Sequence, residues 1–484
     1  MSWREGVVYQ VYPRSFADST GDGVGDLEGI RQHLDHLRWL GVDALWLSPV
    51  YPSPLADWGY DVSDYTDIDP ELGGLEAFDR LLADAHDHEL RLLMDLVPCH
   101  TSIEHRWFRE HPDWYIWADS GDRPPNNWTS AFGGSAWERD PAGGRWYLHS
   151  FYPEQPDLDW HEPEVVEAVQ DVVRFWIDRG VDGFRLDAID RLVKDPELRD
   201  DPPSSEPFGL PLLEHELGRD LCNSRNGPGT DRALAALREA AGDEALLVGE
   251  VYLPTLRAAP YLEHLDRLFV FELLHGTWSA DVLRRAIGPA AALRGRPGAG
   301  PAWVLSNHDF GRLAHRFGRE NERAAAMLLL TLPGTAFIYQ GDEIGMGNGP
   351  GANPPRDRVG RDSFRHPMQW DASPGGGFTT GTPWLPMNDA GERNVCDQRG
   401  GPASVLSLYR ELIALRHSLP AEFEPVEDVP DVVSFRRGDR LVAINLAGEP
   451  RPIPAGEMLL GTAPDAVAPD GSLAPHAGAV IAPA

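Results

Sequence analysis

The chain contains the stretch EVVEAVQDVVRFWIDRG (164–180), followed closely by GFRLDAID (183–190). The first part has apolar residues at three- and four-residue spacing and ends on a glycine, which predicts an amphipathic helix with a C-cap. The second part begins with the short apolar run of a buried strand. A helix that leads directly into a buried strand is the repeating unit of an α/β fold with a parallel sheet.

Similar units recur on both sides of this stretch. Continuous apolar runs, separated by helical patterns such as LEGIRQHLDHLRWLG (27–41), are typical of parallel strands that are covered on both faces. Eight such runs predict a (β/α)₈ TIM barrel. In chain order, the predicted strands are VVYQVY (7–12), ALWLS (44–48), RLLMDLV (91–97), GFRLDA (183–188), ALLVGEVY (245–252), LFVFEL (268–273), WVLSNHD (303–309) and TAFIYQG (335–341).

Three segments lie outside this regular pattern. Residues 98–160, rich in Trp, Pro, Gly and Asn, predict an inserted lobe after strand 3, because the interval is too long for one crossover helix. Residues from about 342 to 402 carry PGGGFTTGTPW and predict a lid-like insertion. Short alternating runs over 425–484 predict a C-terminal antiparallel β domain. The catalytic barrel is then expected over 1–97 and 161–424.

The composition of the chain excludes several classes of function. Its 484 residues include 43 basic and 76 acidic side chains, for a formal charge of -33, which disfavours nucleic acid and anionic membranes as partners. Lys194, in a polar stretch that predicts a loop or a helix surface, is the sole lysine. It has no glycine-rich phosphate cradle beside it, so neither a P-loop nor a pyridoxal Schiff base is expected. The sequence predicts no organic cofactor.

The cysteines and the N-terminal segment bear on the cellular compartment. Cys99, Cys222 and Cys396 are widely spaced and odd in number, so no disulfide framework is indicated. The start, MSWREGVVYQ, lacks the apolar region of a signal peptide, and no run of eighteen apolar residues occurs. These features predict a cytoplasmic protein without a membrane partner.

Polar residues are concentrated at the ends of four predicted strands. The C-terminal ends of barrel strands form the active sites of TIM barrels. These strand ends carry Asp95 and His100 (strand three), Arg185 and Asp187 (strand four), Glu250 (strand five), and His308 and Asp309 (strand seven).

Two of these carboxyls are expected to differ in environment. Arg185 and Asp187 are two apart on a strand and point to the same side, so the arginine is expected to keep Asp187 ionised. Glu250 follows an apolar run without an adjacent cation, which is expected to raise its pKa. Such a pair can cleave an acetal, because one carboxylate attacks the anomeric carbon while the other carboxyl protonates the departing oxygen.

Two other interpretations stay open at this point. A buried Asp–Arg pair is more often structural than catalytic, although four polar strand ends together favour a catalytic site. A metal-dependent hydrolase using His86, His88 and His100 is disfavoured, because these histidines do not fall on successive strand ends.

Four motifs in this order, DLVPCH (95–100), GFRLDAID (183–190), GEVY (249–252) and SNHD (306–309), resemble the conserved regions of the α-amylase superfamily, glycoside hydrolase family 13. The segment QPDLDW (155–160) is similar to the fifth region of that family. The resemblance covers about residues 1–480, and the combination of motifs is highly specific. It implies the same barrel and a retaining mechanism.

The resemblance also implies a role for individual residues. Asp187 would be the nucleophile, Glu250 the general acid/base, and Asp309 a third carboxylate that grips sugar hydroxyls and distorts the ring. Tyr60 would be the aromatic platform under the glucose, and Asp57 would bind its non-reducing end. The full set of implied substrate-binding residues is Asp57, Tyr60, His100, Phe151, Arg185, His308 and Arg393.

Within the superfamily, the chain is most similar to the α-glucosidase and oligo-1,6-glucosidase branch, through VYPRSFADSTGDGVGDLEGI (11–30) and HPMQWDASPGGGFTTGTPWLP (366–386). The resemblance implies hydrolysis at the non-reducing end of short oligosaccharides. The small Ala188 after the nucleophile implies a preference for α-1,4 links, as in maltose and maltooligosaccharides. The open alternatives are an oligo-1,6-glucosidase, a transglycosylase or isomerase such as a trehalose synthase, and a non-catalytic binding or chaperone relative. The sequence predicts no oligomeric state.

The acidic segment DSTGDGVGD (18–26) predicts a metal site. Its oxygens alternate around glycines in the manner that hard cations prefer, although a solvated acidic turn is the alternative. The family's calcium loop lies at this place, so a structural Ca²⁺ or Mg²⁺ is expected. The predicted ligands are Asp18, Thr20, Asp22, the carbonyl of Val24, and Asp26. Cys99 replaces an asparagine that helps bind a second calcium in many relatives, so that second site is expected to be absent.

Overall fold

The computed structural model describes residues 2–141, 143–204, 218–426 and 429–483. Its strands are β1 Val7–Val11, β2 Ala44–Leu47, β3 Arg91–Leu96, β4 Trp117–Ala118, β5 Trp137–Arg139, β6 Trp146–Leu148, β7 Gly183–Leu186, β8 Leu246–Gly249, β9 Arg267–Phe269, β10 Gly300–Val304, β11 Thr335–Tyr339, β12 Phe423–Val426, β13 Val432–Arg437, β14 Arg440–Asn445, β15 Arg451–Pro452, β16 Gly456–Gly461, β17 Ser472–Leu473 and β18 Gly478–Pro483. Its α-helices are α1 Leu27–Arg31, α2 Leu34–Leu40, α3 Gly74–Asp87, α4 Arg106–Glu110, α5 Pro163–Arg179, α6 Thr230–Ala241, α7 Thr255–Ala258, α8 Phe271–His275, α9 Ala280–Ala291, α10 Leu313–Arg316, α11 Glu322–Thr331, α12 Asp362–Arg365, α13 Val395–Arg399 and α14 Val405–Arg416.

Eight parallel strands close into a barrel in the order β1-β11-β10-β9-β8-β7-β3-β2, which confirms the predicted TIM barrel. Each predicted apolar run overlaps one of these strands, although the seventh run (303–309) shares only its first two residues with β10, which begins at Gly300. The sixth run was predicted too long: β9 ends at Phe269, and helix α8 begins at Phe271. In the β3–β7 pair, Asp95 lies opposite Arg185, so two residues of opposite charge are neighbours in the barrel.

The barrel strands are apolar on both faces because both faces are buried. On β1, Val8 belongs to the cluster inside the barrel, together with Trp46 of β2 and Phe337 of β11. Its neighbours Val7 and Tyr9 belong to the large cluster that the strands form with the surrounding helices. Successive side chains of a strand point to opposite faces, so no polar alternation remains in the sequence.

The predicted C-caps explain where two helices end. Helix α5 buries Val165, Val169 and Trp176 on one face and stops at Gly180, which adopts φ 105°. Helix α2 stops in the same way at Gly41, with φ 93°. A left-handed residue at this position is strained unless it is glycine, so the two glycines mark the turns into the following strands.

Two further units accompany the barrel. Between β3 and β7, strands β4, β6 and β5 form a small antiparallel sheet within the range predicted for the inserted lobe. After α14, β12-β13-β14-β18-β16 form the predicted C-terminal antiparallel sheet. The exact domain boundaries stay a prediction. Within the described ranges, no helix has both the length and the apolar composition that crossing a bilayer demands.

Candidate active site

A cavity of about 440 Å³ opens at the C-terminal end of the barrel strands. It lies where barrel folds place their active sites. Its lining residues are Asp57, Tyr60, His100, Thr129, Ser130, Ala131, Phe132, Phe151, Asp187, Arg191, Leu221, Arg225, Glu250, Tyr252, Asp309, Phe310, Val359, Gly360, Arg361 and Phe364. Of the predicted catalytic residues, Asp187, Glu250 and Asp309 therefore share one cavity.

Arg185 links the carboxyl groups at the base of this cavity. Its Nη1 lies 2.7 Å from Asp95 and 2.6 Å from Asp187, and its Nη2 lies 2.6 Å from Glu250. The guanidinium also lies over the ring of Trp46, at 5.1 Å from its centroid. Arg185 is 1% exposed, so a single buried cation serves three carboxyl groups.

The expectation that Glu250 has no adjacent cation is wrong. Arg185 lies on β7, and its side chain reaches Glu250 at the end of the neighbouring strand β8. The spacing of residues along the chain does not reveal this contact. Glu250 Oε1 also accepts a hydrogen bond from the Tyr252 hydroxyl at 3.2 Å, and Oε2 accepts one from the backbone N–H of Ala188 at 3.0 Å. Burial nevertheless raises the pKa of Glu250, since it outweighs the opposing effect of Arg185.

Arg185 lowers the pKa of Asp187, as expected, but it does not offset the effect of burial. Burial raises the pKa of Asp187 well above its usual range, and Glu250 and Asp95 add to the rise despite Arg185. The carboxyl groups of Asp187 and Glu250, which Arg185 joins, therefore both have a pKa above the ordinary value.

Ala188 connects the nucleophile candidate to the acid candidate through its backbone. It adopts φ 43° and ψ 44°, which is left-handed and uncommon for a residue other than glycine. This conformation accompanies the N–H bond from Ala188 to Glu250 Oε2. The chain therefore turns sharply directly after Asp187, and the turn brings an extra donor to Glu250.

Asp309 has a different environment from the other two carboxyls. Arg361 and Arg365 each lie 3.0 Å from its Oδ1, and His308 Nε2 lies 3.2 Å from its Oδ2. Burial raises the pKa of Asp309, but His308 and the two arginines lower it by more, so the net shift is downward. Asp309 is therefore an ionised carboxylate.

Tyr60 and His308 form a stacked pair beside these carboxyls, with ring centroids 5.3 Å apart and planes 3° from parallel. The Tyr60 hydroxyl donates to Asp95 at 3.0 Å, and His308 Nδ1 lies 2.8 Å from Gln10 Nε2. Burial lowers the pKa of His308 well below its ordinary value, and the neighbouring Asp309 opposes this shift. Tyr60 lines the cavity, whereas His308 and Arg185 lie behind the lining residues.

One end of the cavity is built by residues from three separate segments. Asp57 pairs with Arg361, and it accepts a hydrogen bond from Gln155 Nε2 at 3.1 Å. The same amide lies 3.0 Å from His100 Nε2. Phe151 lies next to His100, with ring centroids 5.2 Å apart. The predicted residues Asp57, His100 and Phe151 are thus brought together, and Gln155 is a residue that the sequence analysis missed.

Arg393 is not among the residues that line the cavity, which corrects its predicted role in substrate binding. It binds the carboxylate of Glu322 at 3.0 Å and the carbonyl of Ile344. The arginine that reaches the cavity is Arg361, which pairs with Asp57, Asp309 and Asp357. A weak signal for it existed in RDRVGRDSFR (356–365), which places several arginines inside a glycine-rich stretch.

Lys194 is buried, contrary to the expectation of a loop or helix surface. It is 2% exposed and its Nζ lies 2.5 Å from Asp157 and 3.6 Å from Cys99 Sγ. Cys99, His100 and Asp157 are close enough together to hold a metal ion. The ammonium group of Lys194 already supplies a positive charge to Asp157, so a second cation there would be repelled.

In the predicted metal loop, the carboxylate of Asp18 accepts hydrogen bonds from backbone N–H groups of the loop itself. Asp18 Oδ1 accepts hydrogen bonds from the N–H groups of Thr20 and Gly21 at 2.9 and 2.7 Å, and its Oδ2 accepts one from Gly23 at 2.7 Å. Asp26 caps helix α1 through the N–H of Gly29. The remaining predicted ligands, Asp22 and the carbonyl of Val24, lie in the turn between them.

The sequence analysis also missed part of the cavity lining. This part includes Leu221, Arg225, Tyr252 and Phe310. Apart from Tyr252 in GEVY, nothing in their local sequence distinguishes them from ordinary loop residues.

Comparison with known proteins assigns the whole chain to one group. The family model described as alpha amylase, catalytic domain, matches residues 10–422. A protein of Rhizobium meliloti (strain 1021) named "Probable alpha-glucosidase" is 41% identical, with 90% of this chain and 87% of that protein covered. The oligo-1,6-glucosidase of Parageobacillus thermoglucosidasius is 37% identical, with 93% of this chain and 91% of that protein covered.

Two solved structures superimpose closely on this chain. The α-glucosyl transfer enzyme XgtA gives a TM-score of 0.91 at 37% identity, with 99% of each chain covered. The trehalulose synthase MutB from Pseudomonas mesoacidophila MX-45 gives a TM-score of 0.88 at 34% identity, again with 99% of each chain covered.

Proposed function

The chain belongs to the α-amylase family, and on this premise we propose that it hydrolyses α-glucosides with Asp187 as nucleophile and Glu250 as general acid/base. It is a glycoside hydrolase of the α-glucosidase type, since its curated relatives at 35 to 41% identity carry α-glucosidase and oligo-1,6-glucosidase names. One observation carries the residue assignment. Arg185 binds Asp187 and Glu250 through its two Nη atoms, each at 2.6 Å, inside one cavity.

The proposed reaction has two displacements. In the first, Glu250 protonates the glycosidic oxygen, the bond from that oxygen to C1 breaks, and Asp187 bonds to C1 from the opposite face. In the second, Glu250 takes a proton from water, and this water displaces Asp187 from C1. Two inversions restore the α configuration.

The raised pKa of Glu250 suits the first displacement, because a general acid must carry a proton before it protonates the leaving group. The positive charge that develops at C1 favours an ionised carboxylate directly below it. We therefore place the proton on Glu250 and the negative charge on Asp187 when the sugar is bound. Arg185 then stabilises the ionised Asp187 at its Nη1.

The remaining predicted residues are assigned to the glucose ring. Asp309, ionised between Arg361 and Arg365, accepts hydrogen bonds from sugar hydroxyls that strengthen as the ring distorts. Tyr60 provides an apolar surface for one face of the sugar. His100 lines the cavity and is assigned a hydrogen bond to the sugar, whereas His308 lies behind the lining and supports Tyr60 by stacking on its ring.

An ion pair in the cavity lining supports action at the non-reducing end. Asp57 from the segment after β2 pairs with Arg361 from the predicted lid-like stretch. We propose that this pair bounds the subsite for the terminal glucose and prevents a chain from continuing beyond it. We propose short oligosaccharides, with maltose and maltooligosaccharides preferred because Ala188 is small.

Transfer to a sugar or another acceptor is the second candidate function. It is favoured by the close match to XgtA and to MutB, which are named as a transfer enzyme and a trehalulose synthase. Such enzymes share the first displacement and differ in what attacks the glycosyl-enzyme. The same residue assignments serve both functions.

We propose a structural Ca²⁺ or Mg²⁺ at Asp18, Thr20, Asp22, Val24 and Asp26. The chemistry of three carboxylates and a carbonyl fits a hard cation. Both Asp18 carboxylate oxygens already accept at least two hydrogen bonds, from Thr20, Gly21, Gly23 and Thr379, so a bound cation would replace some of these donors. The ion would stiffen the loop and take no part in the reaction.

We also propose a cytoplasmic location. Cys99, Cys222 and Cys396 are free thiols in the structure, which suits a reducing compartment. Fractionation of the native cells tests this location, and recovery of the protein outside the cytoplasm would contradict it.

A substrate panel tests the proposed function. The protein is incubated with maltose, isomaltose, sucrose and trehalose, and products are resolved by chromatography. Glucose as the main product from maltose, faster than from isomaltose, is expected. A disaccharide as the main product would favour transfer, and β-glucose as the first sugar seen by NMR would contradict retention.

A further inference from the structure

We infer that Tyr252 is a positioning residue for Glu250, because its hydroxyl fixes which oxygen of the Glu250 carboxyl carries the transferable proton. The inference rests on the proposed role of Glu250 as general acid/base. Neither the residues that line the cavity nor the family of the chain specifies the orientation of the Glu250 carboxyl.

Glu250 contacts three hydrogen-bond donors, and these are divided unequally between its two carboxyl oxygens. Oε1 receives both Arg185 Nη2 at 2.6 Å and the Tyr252 hydroxyl at 3.2 Å. Oε2 receives only the N–H of Ala188, at 3.0 Å, among the donors described. An oxygen with two donors has both lone pairs engaged, so a proton placed on Glu250 goes to Oε2. Oε2 is then the atom that protonates the glycosidic oxygen.

The ring of Tyr252 is held in place by packing. It lies 4.8 Å from the ring of Phe271, which in turn stacks on Phe269 at 5.6 Å. Its backbone N–H lies 3.4 Å from Asp190 Oδ1. Since both the ring and the backbone are anchored, the hydroxyl has little freedom to leave Glu250.

The hydroxyl remains a donor throughout the working range of the enzyme. Burial raises the pKa of Tyr252 well above its usual range, and the nearby Glu250 raises it further. A neutral hydroxyl that donates to a carboxylate stabilises the ionised form of that carboxylate. Glu250 is in this form after it protonates the leaving group, and again when it acts as base toward water.

The test compares the wild type with Tyr252→Phe, which keeps the ring on Phe271 and removes only the hydroxyl. For maltose, whose leaving group needs protonation, kcat/KM is expected to fall by about 10- to 100-fold. For 4-nitrophenyl α-glucoside, whose leaving group departs unprotonated, a fall below about 3-fold is expected. The basic limb of the maltose pH profile is expected to move up by about one pH unit.

Tyr147→Phe is the matched control, because this hydroxyl binds the carbonyl of Pro153 away from the cavity. A second test adds Tyr252→Phe to a Glu250→Ala background, where no further loss with the nitrophenyl substrate is expected. A further loss there, an equal loss with both substrates, or an unmoved pH profile would overturn the inference. A wild type without activity on either substrate would instead remove the proposed function.

Discussion

At the scale of single residues, the site depends on how one guanidinium is shared. Arg185 contacts Asp95, Asp187 and Glu250, so the cluster carries more potential negative than positive charge. Burial and neighbouring carboxylates raise the pKa of Asp187 and of Glu250, whereas the pKa of Asp309, which has two arginines of its own, shifts downward. The distribution of arginines therefore separates two carboxyls with a raised pKa from one with a lowered pKa.

Asp187→Asn and Glu250→Gln test this arrangement. Glu250→Gln is expected to lower kcat/KM on maltose by about 10²- to 10⁴-fold, since the transferable proton is lost. Asp187→Asn is expected to lower it at least as much, because the covalent intermediate cannot form. The unfolding temperature of each variant should equal or exceed that of the wild type. Each change removes one potential negative charge from a cluster in which three carboxyl groups share Arg185.

Steady-state kinetics and calorimetry measure the two effects separately. Arg174→Gln is a suitable control, since this arginine pairs with Asp171 on an exposed helix face. Near-wild-type turnover by either active-site variant would refute its assignment.

At the scale of elements, the base of the inserted lobe is tied to the barrel by one buried ion pair. Asp157 lies in QPDLDW before α5, and Lys194 follows β7, so the pair joins two segments that are distant in sequence. Asp157 also accepts hydrogen bonds from the N–H and the hydroxyl of Ser150. Burial raises the pKa of Asp157, but Lys194 and His100 lower it by more.

Lys194→Met is therefore expected to destabilise the protein by about 3–5 kcal/mol, because it leaves a buried carboxylate without its cation. The double variant Lys194→Met with Asp157→Asn is expected to be more stable than Lys194→Met alone, since no unpaired charge remains. Denaturant unfolding measures both. A single variant as stable as the wild type would show that the pair contributes nothing.

The acidic loop at 18–26 is the second element with a testable role. If it binds a cation, EDTA should lower the unfolding temperature of the wild type, and added Ca²⁺ should restore it by mass action. Asp22→Asn should weaken this response, because Asp22 lies in the turn and offers a charged ligand. Asp140→Asn, in a separate loop, is the control. Equal unfolding temperatures with EDTA and with Ca²⁺ would remove the metal proposal.

At the scale of the whole molecule, a net charge of -33 coexists with buried acidic groups directly after β11. Glu343 is buried, with its carboxyl bound to the hydroxyl of Tyr9 at 2.8 Å and to the N–H of Gly341 at 2.8 Å. Burial raises the pKa of Glu343 to about 7 and that of its neighbour Asp342 to about 6. These groups are protonated in the folded protein under conditions where the unfolded chain releases the protons.

A stability contribution from Glu343 should consequently fall as pH rises. The folded-state pKa is raised from 4.5 to about 7, so the contribution is complete below pH 4.5 and is lost as pH increases through 7. The total is on the order of 3 kcal/mol. The difference in free energy of unfolding between wild type and Glu343→Gln should shrink or reverse from pH 5 to pH 8. A difference that is constant over this range would contradict the assignment.

Much of the architecture and part of the site follow from the sequence. The apolar runs predict the eight strands, because a strand buried on both faces admits few polar residues, and the polar residues at their ends identify Asp187, Glu250 and Asp309. Helix ends such as Gly180 are equally local, since they depend on the left-handed conformation of one residue. Features of this kind arise within a few residues of the chain.

Only the tertiary structure decides which charges meet. Arg361 reaches Asp57 across about three hundred positions of sequence, Lys194 lies buried beside Asp157, and Arg185 serves Glu250 as well as Asp187. Long polar side chains extend several ångströms from their backbone, so their partners depend on how loops from different strands converge at the barrel mouth. Ionisation follows from those partners and from burial, which is why the sequence determines the residues of the site and the fold determines their protonation.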